Sequence, residues 1–252
     1  MPRLDDFHDM IYFHSNRQER FVFSFGYTFE EFYQTLNEPN FNILLLKHST
    51  DEGDLHLHTL LPYVLDENLE GFIARESYKN GPLCWIDFDD LSNLDLIEGQ
   101  ELAELLYLGH IKKHLRTPFY QTLNNQYVFL SDEGQSLIKM YYRNFDKFYD
   151  FVSKLLSLKL SHLKMPKSWI PFRRKIEYPP IDEHVIKKLD DFFSEGMILS
   201  LKYSTIKRNK VQIPFWNVGD VASIEGLEEE YEKASNQKPN GYITFDKDEW
   251  YI

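Results

Sequence analysis

Residues 100–160 constrain the fold more than any other part of the chain, because several kinds of local signal agree along them. Glu101 to Arg116 spaces Leu102, Leu105, Leu106, Gly109 and Leu115 as one apolar stripe of a helix. Acids open that segment and Lys112, Lys113 and Arg116 close it, the order a helix dipole favours, with Pro118 just beyond. Tyr127 to Leu130 and Leu137 to Arg143 read as a hairpin about Ser131-Asp132-Glu133-Gly134. Asn144 then caps a second helix, Phe145 to Leu160, whose stripe is Phe148, Phe151, Val152, Leu155 and Leu156. Helix, hairpin and helix in succession predict an α+β fold with a largely antiparallel sheet and packed amphipathic helices.

The flanking segments extend that pattern. Arg20 to Phe25 is β-prone, and Thr28 with Glu31 forms a capping box for a helix from Phe29 to Leu36, which Pro39 prevents from running on. Phe41 to His48 and Leu55 to Leu61 read as strands around Thr50-Asp51-Glu52-Gly53. Alternation would put Leu55 and Leu57 on one face and His56 and His58 on the other. A short helix is expected between Pro62 and Gly71, and a strand from Leu83 to Asp89 carries Trp85, Asp87 and Asp89 on one face. The run Phe29-Glu30-Glu31-Phe32-Tyr33 echoes Phe145-Asp146-Lys147-Phe148-Tyr149, each after an aromatic strand and a capping residue. The echo is short, and strand, cap and amphipathic helix form a common unit that arises independently.

Pro166, Pro171, Pro179 and Pro180 break regular structure, so residues 164–180 read as a strap interleaved with Trp169, Phe172, Arg173, Arg174 and Lys175. The expected division is therefore a main α+β domain at 1–163, the strap at 164–180, and a small C-terminal α+β subdomain at 181–252. The last would contain a helix (Asp182 to Ser194), a hairpin-like pair (Met197 to Ile206, Val211 to Phe215), an acidic helix (Val221 to Ala234) and a strand (Tyr242 to Phe245). That αββαβ unit is too small to bury a generous core alone, which predicts docking on the first part.

Composition narrows the classes of function. A net charge of −12 argues against non-specific binding to nucleic acid or anionic membranes. Residues 51–104 hold 14 acids against two bases, whereas 153–213 hold 13 bases against six acids. These segments suit two complementary solvated faces, or a partner site of one sign. The single cysteine, Cys84, excludes an intrachain disulfide and sits among apolar neighbours as an inert thiol. No apolar run is long enough to span a bilayer and the first residues lack a signal-peptide core, which fits a cytoplasmic setting.

Catalytic equipment is sparse. His110 and His114 share a helix face at a metal-binding spacing, but Ile111 and Tyr107 stand where the familiar helical metal motifs need glutamate. His56 and His58 with Asp87 and Asp89 could form a two-histidine, two-carboxylate metal site if their strands were adjacent. Asp87-Phe88-Asp89 also resembles the Asp-x-Asp opening of phosphotransferring aspartate enzymes, although Leu91 replaces the expected hydroxyl residue. Glycine-rich phosphate loops and serine-nucleophile motifs are absent, and no cofactor signature is found. The strap with Lys202, Lys207, Arg208 and Lys210 is the one element suited to nucleic acid, and the overall charge opposes it. The leading expectation is a non-enzymatic interaction or regulatory protein that binds a basic partner through the acidic surface of residues 51–104. A metal-dependent hydrolase using His56, His58, Asp87 and Asp89 is the alternative.

Overall fold

The computed structural model describes residues 9–36, 41–47, 53–75, 79, 81–110, 117–132, 137–162, 179–207, 210–221 and 223–252. In chain order the elements are β1 (Met10–Asn16), β2 (Phe21–Phe25), α1 (Phe29–Thr35), β3 (Asn42–Lys47), β4 (Asp54–Leu55), β5 (Pro62–Val64) and α2 (Asp66–Ala74). Then come β6 (Leu83–Phe88), a 3-10 segment (Leu91–Leu96), α3 (Gly99–His110), β7 (Tyr127–Ser131), β8 (Ile138–Tyr142) and α4 (Asp146–His162). The remainder holds α5 (Glu183–Lys187), α6 (Asp190–Glu195), β9 (Met197–Ser200), β10 (Thr205–Lys207), β11 (Lys210–Asn217), α7 (Ile224–Ser235), β12 (Gly241–Asp246) and β13 (Glu249–Tyr251). Antiparallel strands with several helices make this an α+β protein.

Contacts gather the chain into two compact units that interleave along it. One unit comprises Met1–Ser15, Phe25–Leu36 and Asp146–Ile252; the other comprises Asn16–Ser24 and Asn37–Phe145. This division runs along different lines from the sequence-based one at 1–163, 164–180 and 181–252. Its physical basis is long-range pairing: β9 lies antiparallel to β1 with Met10 opposite Ser200 and Phe13 opposite Met197, and α4 packs on α1. Residues 163–178, and with them nearly all of the strap, lie outside the described residues, as do Arg208, His114 and the 111–116 end of the expected helix.

In the first unit the strand order is β13-β12-β11-β9-β1, with β10 pairing β11. Its core explains much of the aromatic content. The ring of Phe13 meets Phe148 edge-on at 5.5 Å, Phe193 at 5.8 Å and Phe151 at 6.4 Å, a geometry that aromatic pairs favour. The capping box of α1 forms as its sequence predicts, with the Glu31 N–H donating to Thr28 Oγ1 at 3.2 Å and the Thr28 N–H donating to Glu31 Oε2 at 3.0 Å. Glu31 Oε1 also accepts from the buried Lys159 Nζ at 2.7 Å, so one carboxylate ties the start of α1 to α4. Gly26 (φ 94°) has no alternative, because a Cβ there would lie 2.0 Å from the Met10 carbonyl oxygen.

The second unit orders its strands β2-β8-β7-β6-β3-β5-β4. Leu44, Ile86, Val128 and Tyr141 from its sheet pack with Leu94, Leu105 and Leu108 into one buried cluster. Helix α3 comes close to β3 through Gly109, where a Cβ would stand 2.9 Å from the Leu46 carbonyl oxygen.

Two expectations are corrected. The strand expected over Leu55 to Leu61 stops at Leu55, and the residues after Pro62 form β5 before α2 begins at Asp66. The helix expected over Asp182 to Ser194 is two short helices, with Leu189 between them at φ −93°, ψ 7° and fully buried. Two strands have no clear sequence signal: β1 lacks alternation, since Met10 to Phe13 are all buried, and β13 is only three residues long. Among the described residues, no helix is long and apolar enough to cross a membrane.

Candidate interaction surface

The second unit holds every residue of the acidic segment, and its local chemistry decides what the candidate ligands do. His56 leaves the end of β4, which is separated from β6 by β5 and β3, about 14 Å at ordinary strand spacing. Its ring contacts Thr59 Oγ1 through Nδ1 at 3.0 Å and Asp95 Oδ1 through Nε2 at 3.3 Å. His58 sits exposed in the turn that follows. Asp87 is buried near the end of β6 and accepts the backbone N–H of Gln126 (2.9 Å to Oδ2) and of Tyr127 (2.6 Å to Oδ1). Asp89 Oδ2 accepts from Asn124 Nδ2 at 2.6 Å. The structure therefore does not bring His56, His58, Asp87 and Asp89 together as a metal site. Among the described residues, no group of three or more His, Cys, Asp or Glu side chains could hold a metal ion. The side chain of His110 and the whole of His114 lie outside the described residues.

Asp87 and Asp89 are anchors of the segment between α3 and β7. Asn125, fully buried, accepts the Tyr120 N–H at 2.8 Å and donates to the carbonyls of Pro118 (3.1 Å) and Tyr127 (3.3 Å). Arg143 donates to the carbonyls of Asn125 (2.6 Å) and Tyr120 (2.9 Å), with its guanidinium 5.4 Å from the centre of the Phe119 ring. These bonds hold Phe119 to Thr122 as one wall of a cleft of about 460 Å³, whose other wall is Leu96, Glu98, Gln100, Glu101 and Glu104. Glu98 and Glu101 have no cationic partner among the described residues. Nearby, the Ser92 hydroxyl and N–H donate to the Asp90 carboxylate and hold its pKa below the usual value.

Beside the cleft, the loop between β4 and β5 turns its polar groups inward. Thr59 is 6% exposed and its hydroxyl meets the His56 ring and the Leu61 N–H (3.4 Å). The His56 N–H donates to the Leu61 carbonyl at 3.0 Å and the Leu60 N–H to the His56 carbonyl at 2.7 Å, which closes the loop on itself. Leu57 and Leu60 are left in solvent, 87% and 66% exposed. The contact of His56 with Asp95 sets this loop against the 3-10 segment, whose last residue, Leu96, is 67% exposed and lines the cleft. The alternation expected over Leu55 to Leu61 is thus not kept: Leu57 and His58 are both exposed, whereas His56 is largely covered. The available signal was the phase break in Leu57-His58-Thr59-Leu60-Leu61, a spacing that no single strand face can hold.

The reactive groups of this unit elsewhere are quiet. Burial pushes the Cys84 thiol well above its ordinary range, so it stays protonated. Lys139 Nζ lies 4.0 Å from the centre of the Phe21 ring and 4.9 Å from that of Tyr141, and burial lowers its pKa. Comparison with protein-family models, with curated proteins and with solved structures finds no match to this chain.

Proposed function

We propose that the protein is a non-enzymatic cytoplasmic interaction protein that receives a basic protein partner on the acidic surface of residues 51–104. The observation that carries this reading is the exposure of the acids: Asp54, Glu67, Glu70, Asp89, Asp90, Asp95 and Glu98 all face solvent, against two bases, Arg75 and Lys79, in the whole segment. A surface of one sign raises the encounter rate with an oppositely charged partner and repels like-charged ones. Single exposed ion pairs are worth only about 0.2–1 kcal/mol each. The acids therefore govern association rate and salt dependence more than affinity.

The test is a pull-down with the intact chain from a lysate of its native host at about 50 mM and about 300 mM salt, which brackets a Debye length near molecular contact distance. The wild type is compared with the triple reversal Glu98→Lys, Glu101→Lys and Glu104→Lys, and with a control reversal, Glu228→Lys and Glu229→Lys, on α7. The reading expects a stoichiometric basic partner, released by salt, lost with the first reversal and kept with the second. Capture that ignores the first reversal refutes it, as does recovery of no partner at either salt concentration.

A further inference from the structure

We infer that the loop from His56 to Leu61 is the apolar anchor of this surface, and that its occupant is an amphipathic cationic segment of a partner protein. Apolar side chains of that segment would cover Leu57, Leu60 and Leu96, and its lysines or arginines would lie over Glu98, Glu101 and Glu104. The inference rests on the reading proposed above and deepens it.

Four observations converge. The loop is inside out: His56 and Thr59 spend their polar atoms on each other, while Leu57 and Leu60 are among the most exposed large apolar residues described. It is also stiff, closed by the bonds His56 N–H to Leu61 carbonyl and Leu60 N–H to His56 carbonyl, and clamped to Asp95. Leucines held in place lose little conformational freedom on binding, the condition under which exposed apolar groups become anchors. Leu60 stands at φ 57°, a conformation that suits Gly or Asn and that a bulky residue adopts only with strain. Finally, the loop adjoins the acidic cleft, since His56 contacts Asp95 and the next residue, Leu96, lines that cleft.

Charge selects the occupant. A second copy of this chain seated on the patch would set Asp54, Asp95 and Glu98 against their own kind across a two-fold interface, which like-charge repulsion disfavours. An anionic lipid surface is repelled in the same way. A segment that alternates apolar and cationic side chains meets both halves of the site.

The experiment measures the intact protein binding three fluorescent peptides of equal length by anisotropy: a leucine–lysine amphipathic helix, oligolysine, and the leucine–glutamate counterpart. The wild type is expected to bind leucine–lysine roughly tenfold or more tighter than oligolysine, and leucine–glutamate not at all. Leu57→Ser combined with Leu60→Asn removes that preference while leaving oligolysine binding unchanged. Leu96→Ser, on a separate element, reproduces the selective loss. Equal binding of the two cationic peptides, indifferent to these substitutions, overturns the anchor but leaves the acidic-surface reading standing. Failure of both cationic peptides to bind overturns that reading as well. Tight binding of leucine–glutamate overturns the assigned occupant. So does a concentration-dependent dimer in light scattering that the double substitution abolishes, since it would make a second copy the occupant.

Discussion

Position 60 offers a stability measurement whose sign runs against ordinary expectation. Leu60 combines a left-handed backbone (φ 57°) with 66% exposure. Holding a bulky L-residue in that region costs about 1–2 kcal/mol, and Asn recovers much of it through its short polar side chain. Against this stands the lost burial. Covering a whole leucine is worth about 2 kcal/mol, so the one-third that is covered contributes about 0.7 kcal/mol. Leu60→Asn is therefore expected to be neutral or to stabilise by about 0.5 kcal/mol. Leu60→Val keeps an apolar side chain but adds β-branching where it is least tolerated, and is expected to destabilise by about 1–2 kcal/mol. The gap of about 2 kcal/mol corresponds to about 4–8 °C in Tm for a chain of this size. Circular-dichroism melts and urea titrations of the three proteins measure it. At an unstrained exposed site both variants would fall within about 0.5 kcal/mol of wild type. That result, or Asn as the least stable of the three, would refute the assignment of strain to Leu60.

Other expectations follow from buried groups. Asn125→Ala strips the partners of Tyr120 N–H and of two carbonyls in a fully buried position, and a loss of about 2–4 kcal/mol is expected from the urea midpoint. Cys84 in the native protein is expected to resist a thiol-disulfide reagent at neutral pH and to react fully in denaturant, because burial both covers the thiol and raises its pKa; rapid native labelling would contradict its burial. Tyr12 Oη donates to the Gly219 carbonyl and accepts the Val221 N–H, both at 3.0 Å, and burial pushes its pKa from 10.0 to about 12. The unfolded chain releases that proton first, so the contribution is intact below pH 10.0 and is lost as pH rises to about 12. Urea midpoints taken across that window are expected to fall, and Tyr12→Phe to flatten part of the slope.

How much of this was legible in the residues depended on the range of the forces involved. The capping box at Thr28 and Glu31, the hairpin of β7 and β8, and the stripe on α4 all follow from side chains within a few residues of one another. Strand β1 was silent because its four consecutive buried residues lack alternation, and its partner β9 lies nearly two hundred residues away. The interleaving of the two contact units has the same origin.

The acidic segment shows where local reading ends. Its charge is a property of composition alone, and so are the lack of a catalytic motif and the single unpaired cysteine. The roles of its residues were decided elsewhere. Asp87 and Asp89 became anchors because the backbone of Gln126 and Tyr127 and the side chain of Asn124 arrive beside them from the far side of α3. Leu57 and Leu60 became surface because His56 found Thr59 and Asp95, which closed the loop against the alternation its residues suggested. A sequence sets which groups must be satisfied, through charge, spacing and cap chemistry. Which partner satisfies them is settled only when distant segments compete for the same donors, acceptors and apolar cover.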